Sequence, residues 1–232
     1  MFERALLVGV LDLVGDKGGI NIMTKNVMSQ EEIDFTERFN SETSKTDNKE
    51  FDENGFLVVK NLWDHKELYC LPPETKGQYN YYGKIDKFDH FPVEAQVEGS
   101  TSRYYWPPYK SIHSQIRIKI ENIIGKKLYN TYYYDRFYNP GQNLSNHLDR
   151  PACEISVTIH ISSNMKTSWP IWIKTPDTYE DPKRKEKIIK KGENRSVILN
   201  PGDGMIYKGC ERPHWREPLH KEYKRKWYGK RV

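Results

Sequence analysis

Residues 128–161 read LYNTYYYDRFYNPGQNLSNHLDRPACEISVTIHI, and this stretch decides the fold. Leu128–Tyr138 and Ile155–Ile161 have the length and the aromatic and β-branched content of strands. The NPG sequence at residues 139–141 is a turn signal after the first of them, and a shorter strand candidate, Leu144–Leu148, follows the turn. The stretch therefore predicts three successive strands rather than helices.

Further strand candidates, each bounded by turn residues, occur on both sides of this stretch. They are Gly55–Val59, Trp169–Lys174, Ser196–Leu199, Gly204–Lys208, His214–Arg216 and Tyr223–Tyr228. One helix is predicted at Tyr109–Ile124, because isoleucines recur there at helical spacing between two prolines and Gly125. This pattern indicates a mainly β protein of the jelly-roll type, with the helix lying against a sheet.

A chain of 232 residues is short enough to form one domain. Residues 1–54 are expected to form a partly flexible N-terminal arm, because residues 29–54 are mostly polar and acidic. A single domain is expected at residues 55–232. Within it, the aromatic residues 71–106 are interpreted as a loop region that is a candidate lining for a cleft, and the lysine-rich residues 177–195 as a solvated loop or hairpin.

Composition excludes several classes of protein. A net charge of +5 is modest for a nucleic-acid coat, and the three widely spaced cysteines favour neither a disulfide framework nor a structural zinc site. The apolar run at residues 5–11 is too short to span a membrane and a poor signal peptide. These features predict a soluble cytoplasmic protein without a membrane partner, and they leave the oligomeric state open.

His147-Leu148-Asp149 is the strongest chemical signal. Residues i and i+2 of a strand point to the same face, so the imidazole and the carboxylate can hold one metal ion. The spacing alone is weak, because His65-x-Glu67 and His220-x-Glu222 share it. His214, which follows the turn at residues 200–204, is the candidate third ligand. Two histidines and a carboxylate form the facial triad of non-haem Fe(II) oxygenases; a zinc hydrolase remains an alternative.

The order of these motifs resembles the Fe(II)/2-oxoglutarate-dependent oxygenases, specifically the prolyl-4-hydroxylase-like branch. The resemblance covers roughly residues 128–232, with a weaker echo at residues 54–62. It rests on residues 138–142 leading to His147-x-Asp149, on residues 153–161 and 200–203, and on His214-x-x-x-Pro218. It implies a double-stranded β-helix (jelly-roll) core at about residues 128–232, with one or more N-terminal helices packed on the major sheet.

The resemblance also implies a set of ligands. His147, Asp149 and His214 would be the metal-binding and catalytic residues for Fe(II), with 2-oxoglutarate and O2 as co-substrates. A basic residue about ten positions after the distal histidine holds the 5-carboxylate of 2-oxoglutarate in that family, and this position is Lys224. The other candidates for the co-substrate site are Arg225, Arg216, Tyr138 and His160.

The resemblance implies hydroxylation of an unactivated C–H bond. The expected substrate is a prolyl or other peptide group, or a small molecule, bound beside the aromatic residues 79–106; nucleic acid is the less favoured partner. The alternative is a non-catalytic jelly-roll protein that binds nucleic acid or sugar through its basic C-terminal face.

Overall fold

The computed structural model describes residues 3–12, 49–165 and 168–220. This part of the chain is mostly β. Its strands are β1 (Glu3–Asp12), β2 (Phe56–Val59), β3 (Gly77–Lys84), β4 (Lys87–Phe91), β5 (Thr101–Tyr104), β6 (Leu128–Tyr138), β7 (Leu144–His147), β8 (Ile155–Ser163), β9 (Ile171–Lys174), β10 (Thr178–Tyr179), β11 (Ile188–Lys190), β12 (Asn194–Val197), β13 (Gly204–Lys208) and β14 (His214–Arg216). Its helices are α1 (Lys49–Asn54), α2 (His65–Leu68) and α3 (Lys110–Ile124).

The strands form one large sheet and two small ones. The large sheet has the order β2-β13-β8-β1-β6-β5-β3-β4, and it is mixed because β3 and β5 run parallel to each other. A four-stranded sheet has the order β12-β9-β14-β7, and β10 pairs with β11 in the lysine-rich insertion. The two larger sheets supply the walls between which the candidate site lies.

The strands predicted within residues 128–161 and on both sides of them are confirmed for the described residues. β6, β13 and β14 have the expected bounds, and β2, β7, β8, β9 and β12 overlap their predicted segments. The candidate at Tyr223–Tyr228 lies outside the described residues. Residues 71–106, expected to be a loop region, contain β3, β4 and β5. The alternation of Tyr79 and Tyr81 with polar residues is a strand period, and the structure uses it as one.

The position of β1 differs from the expected arm. β1 lies in the middle of the large sheet, antiparallel to both β6 and β8. Leu6 and Val8 are fully buried there, so part of residues 1–54 belongs to the core. In the described chain before α3 the helices are only α1 and α2, of six and four residues, so longer N-terminal helices on the major sheet are not evident there.

Helix α3 covers one face of the large sheet. It ends at Gly125, whose left-handed backbone (φ 69°) closes the helix through a hydrogen bond to the Glu121 carbonyl. Ile116 and Ile120 are fully buried against Leu6, Val8 and the interior residues of β8. No helix in residues 3–12, 49–165 and 168–220 is long and apolar enough to cross a membrane.

Candidate metal centre

Pairing within the four-stranded sheet brings the predicted triad together. β14 lies antiparallel to β7, and His214 and His147 are direct cross-strand partners. Asp149 follows the end of β7, where its backbone N–H donates to the Gly209 carbonyl. Residues distant in sequence therefore meet because of strand register, which the local sequence does not encode.

The three side chains form a compact cluster. One possible ligand atom from each of His147, Asp149 and His214 lies within 4.8 Å of the other two. The Nε2 atoms of both histidines are 3.6 Å from Asp149 Oδ1. The two imidazole rings are 4.3 Å apart between centroids. This separation leaves a common point toward which all three ligand atoms can direct lone pairs.

Hydrogen bonds at the rear of each imidazole orient the two candidate ligands. His147 Nδ1 is 2.8 Å from the Ser145 carbonyl oxygen, and His214 Nδ1 is 3.0 Å from that of Arg212. A carbonyl only accepts, so each Nδ1 carries the proton and each Nε2 keeps a lone pair. This is the arrangement that metal-ligating histidines adopt.

The carboxylate of Asp149 is held in the same way. The Ser156 hydroxyl donates to Asp149 Oδ2 at 2.6 Å, which leaves Oδ1 to face the two histidines. A Cβ atom at Gly209 would stand 2.5 Å from Asp149 Oδ2 and 2.4 Å from the Cys153 carbonyl oxygen. Glycine at this position therefore makes the close approach between the backbone and Asp149 feasible.

Burial and mutual charge set the pKa values of the three side chains. Burial alone would raise the pKa of Asp149, but the nearby imidazoles of His147 and His214 lower it below the usual value. Burial lowers the pKa of His214, and the attraction of Asp149 does not fully offset it. For His147 the effect of burial is outweighed by Asp149 and Ser145, and its pKa is raised. The site thus combines an ionised carboxylate with a buried neutral imidazole.

An open cleft contains the triad. Aromatic, aliphatic and cationic groups share its wall. Besides the triad, the lining residues are Ala5, Tyr134, Arg136, Tyr138, Leu144, Thr158, Ile171, Tyr207 and Arg216. Two guanidinium groups in one narrow cleft favour an anionic ligand.

Arg136 is the more deeply buried of these two cations. Its Nη2 donates to Glu94 Oε1 at 2.8 Å and to Gln96 Oε1 at 2.7 Å, and its Nη1 lies 3.2 Å from the Tyr138 hydroxyl. Its Nε is buried and has no hydrogen-bond partner within the described residues. The guanidinium is therefore neutralised by Glu94 but not fully hydrogen-bonded.

The other predicted co-substrate residues have different positions. Tyr138 and Arg216 line the cleft, and Arg216 Nη1 donates to the Trp169 carbonyl at 2.8 Å. His160 is buried on β8 and does not line the cleft. Its Nδ1 is 2.6 Å from the Leu199 carbonyl oxygen. Lys224 and Arg225 lie outside the described residues.

The aromatic residues 79–106 are divided between the two faces of the large sheet. Tyr79, Tyr81 and Trp106 pack together with Phe88 on the side of Arg103. Tyr104 stacks on Tyr134, a cleft residue, with centroids 4.5 Å apart. Only part of the expected aromatic cluster therefore adjoins the site, because neighbouring strand residues point to opposite faces.

Sequence reasoning missed Ser156, Arg136, Glu94 and Gln96. A signal existed for Arg136, because it is two residues before Tyr138 on one strand and shares its face. Ser156 could not be found from spacing, since it meets Asp149 only after β8 and the segment following β7 have folded together. The same holds for Glu94 and Gln96, whose loop reaches the site across the sheet.

Comparisons with known proteins add little to this geometry. No family model matches the chain, and no curated protein matches it. Among solved structures, it is similar to the crystal structure of a prolyl-4-hydroxylase from Pseudomonas putida, at 13% sequence identity and a TM-score of 0.46. That match covers 74% of this chain and 89% of the other. The functional interpretation therefore rests on the site itself.

Proposed function

We propose that this chain is an Fe(II)- and 2-oxoglutarate-dependent dioxygenase that hydroxylates an unactivated C–H bond. The observation that carries the proposal is the cluster of His147, Asp149 and His214, with ligand atoms within 4.8 Å of one another. Two histidines and one carboxylate are the donor set of non-haem Fe(II) oxygenases, in which three coordination positions stay open. The proposal includes a single catalytic domain.

The triad fits an iron ion in orientation as well as in composition. Both histidines present Nε2 lone pairs because their Nδ1 atoms face carbonyl oxygens, and Ser156 leaves one oxygen of Asp149 open. Such supporting contacts raise metal affinity by fixing the ligands before the metal arrives. The residues therefore need little rearrangement to become ligands.

The cleft also suits a dicarboxylate co-substrate. A buried carboxylate needs a cationic partner, and Arg136 and Arg216 both line the cleft. Lys224, with Arg225 as its alternative, remains our proposed partner of the 5-carboxylate, assisted by Tyr138; a contribution from His160 would require its Nε2 to reach the ligand. Leu144, Ile171 and Tyr207 would limit water around 2-oxoglutarate in the cleft.

Bound Fe(II) with 2-oxoglutarate and O2 would supply oxidative decarboxylation to succinate and CO2, coupled to hydroxylation of the substrate. The chain's own residues would orient the two co-substrates and exclude water. As substrate we propose a prolyl or other peptide group, or a small molecule, entering beside Tyr104. The motif order favours the prolyl group, and an aromatic stack next to the cleft suits a pyrrolidine ring. Nucleic acid is the less favoured substrate.

The decisive experiment is anaerobic addition of Fe(II) and 2-oxoglutarate with optical detection of the visible charge-transfer band of the chelate. We expect the band in the native chain and its loss in His214→Ala. Metal analysis after anaerobic purification tests the zinc-hydrolase alternative. Absence of both the band and O2-dependent succinate release would favour the non-catalytic binding protein instead.

The co-substrate anchor needs its own test. Lys224→Ala is expected to weaken 2-oxoglutarate binding by about 2–5 kcal/mol, because a desolvated carboxylate loses its charged partner. Iron affinity should change far less. If Arg225→Ala or Arg216→Ala has this effect while Lys224→Ala does not, the anchor is the residue so identified.

The substrate class can be tested by succinate release. Proline-containing peptides, free amino acids and oligonucleotides are compared as stimulants of 2-oxoglutarate turnover. Stimulation by the peptides would support the proposal. Stimulation by oligonucleotides alone, weakening steeply with added salt, would overturn the peptide choice and leave the metal chemistry intact.

A further inference from the structure

Gln96, in the loop of residues 92–99, contacts the triad directly. Its Nε2 lies 3.1 Å from His147 Nε2, and its Oε1 accepts from Arg136 Nη2 at 2.7 Å. Because the proton of His147 is on Nδ1, facing the Ser145 carbonyl, Nε2 is the acceptor and Gln96 donates to it. The Gln96 amide thus occupies the lone pair that a metal ion would need.

The backbone of this loop is fixed, whereas the Gln96 side chain is exposed. Glu94 Oε2 accepts from the backbone N–H groups of Gln96 and Val97, and Val97 is buried in an apolar cluster. From the other side, Gln142 Nε2 donates to the Glu98 carbonyl at 2.8 Å. Rotation of one exposed side chain can therefore clear the site without movement of the loop.

The contacts of Gln96 imitate those of a metal-bound carboxylate. Its amide joins Arg136 to the ligand nitrogen of His147. A carboxylate that binds the metal through one oxygen and accepts from Arg136 through the other would make an equivalent bridge. Arg136 is 2% exposed and its Nε has no partner among the described residues, so it retains capacity for such a ligand.

We propose that Gln96 is a gating residue that blocks both His147 and Arg136: a metal ion displaces its amide nitrogen from His147, and the carboxylate of a metal-bound 2-oxo acid displaces its amide oxygen from Arg136. This rests on the proposed function, since it assumes that the triad binds a metal. The physical basis is exclusion: one lone pair of His147 cannot accept from Gln96 and ligate a metal at the same time. Displacement of Gln96 also frees a donor of Arg136 for the incoming anion.

The first test is anaerobic titration with Co(II), whose absorbance reports ligation without turnover. In Gln96→Ala no hydrogen bond to His147 has to be broken, so we expect Co(II) to bind about fivefold more tightly, which corresponds to about 1 kcal/mol for one net hydrogen bond. Gln115→Ala is the matched control, because Gln115 bonds to Ser111 within helix α3. It should bind Co(II) with native affinity.

The second test replaces the blocking amide with a carboxylate of the same size. Gln96→Glu can ligate the metal and pair with Arg136, so Co(II) affinity should rise roughly tenfold or more. Binding of 2-oxoglutarate to the Co(II)-loaded variant should fall by roughly tenfold or more, because the new carboxylate occupies the position of the ligand. A loop-stabilising role of Gln96 would not produce opposite changes for metal and co-substrate.

The outcomes distinguish failure of the gating proposal from failure of the proposed function. Co(II) binding that is lost in His147→Ala but equal in the native chain, Gln96→Ala and Gln96→Glu would overturn the gate and leave the metal site intact. No Co(II) binding in the native chain or either Gln96 variant would overturn both. Co(II) binding in the Gln96 variants but not in the native chain would strongly support the gating role of Gln96.

Discussion

Strand β6 separates two buried arginine–carboxylate pairs that have the same chemistry and different surroundings. On the side of helix α3, Arg103 Nε donates to Asp135 Oδ1 at 3.0 Å, and Arg103 Nη2 also donates to Cys70. On the cleft side, the next residue of β6, Arg136, pairs with Glu94. The first pair is enclosed by packed side chains, whereas the second lines the cleft.

This difference indicates separate roles for the two faces of one strand. The carboxylate of Asp135 has 0% exposure and belongs to a network that includes the Tyr109 hydroxyl, so it balances the charge of Arg103 within the packed interior. Within the described part of the chain, Arg136 Nε has no hydrogen-bond partner, and Arg136 Nη2 donates to the exposed Gln96. Removal of one partner from an enclosed ion pair is strongly destabilising because it leaves an uncompensated charge, whereas an arginine that lines a cleft can pair with an anionic ligand.

Asp135→Asn is expected to cause the largest loss of stability. It leaves the Arg103 charge buried and uncompensated, which costs about 3–5 kcal/mol. Chemical denaturation would measure the loss of unfolding free energy, and added 2-oxoglutarate should not restore it. A loss below about 1 kcal/mol would show that the helix-side pair is not the stabilising one.

Acidification is expected to cause the second largest loss of stability, again on the side of helix α3. Burial is the largest influence on His113 and lowers its pKa from 6.5 to about 4, against a hydrogen bond with the Gly9 backbone that raises it. Because the pKa of His113 is lower in the folded than in the unfolded protein, its contribution to stability is fully present above pH 6.5. This contribution is lost as the pH decreases toward 4. The expected loss is on the order of 3 kcal/mol.

The control for this pH dependence is His113→Phe, which keeps an aromatic ring against Tyr133 and removes the titration. The difference in unfolding free energy between pH 7 and pH 4.5 should be smaller in this variant than in the native chain. An unchanged pH dependence would assign the acid sensitivity to other groups.

Glu94→Gln should have a smaller effect than Asp135→Asn. It also removes the negative partner of a buried arginine, but Arg136 lines the open cleft and water or an anion can approach it, so we expect a loss of about 1–3 kcal/mol. In the Co(II)-loaded protein, 2-oxoglutarate should recover part of this loss. Equal losses for the two variants, with no recovery, would contradict the distinction between the faces.

His147→Ala is expected to change stability least. The His147 side chain is 24% exposed, so its removal from the metal-free protein should cost less than about 1 kcal/mol. Binding of Co(II) should nevertheless be lost, because only two ligands remain. Thermal unfolding with and without Co(II) measures both effects, and a native-like Co(II) stabilisation in this variant would remove His147 from the metal site.

Much of the local structure could be predicted from the sequence. Isoleucine spacing, the preceding prolines and Gly125 predict helix α3, and apolar content with flanking turns predicts β6, β13 and β14. These signals are local, since capping, turn geometry and strand period depend on neighbouring residues. The His147-x-Asp149 spacing likewise predicts two candidate metal ligands on one surface.

Tertiary structure alone decided which residues contact His147 and Asp149. The placement of β1 between β6 and β8, the pairing of His214 with His147, and the contacts of Ser156 and Gln96 with the triad all join residues far apart in the chain. Such pairings depend on which strand edges and hydrogen-bonding groups remain to be satisfied once the sheets assemble, a property of the whole fold that no short segment encodes.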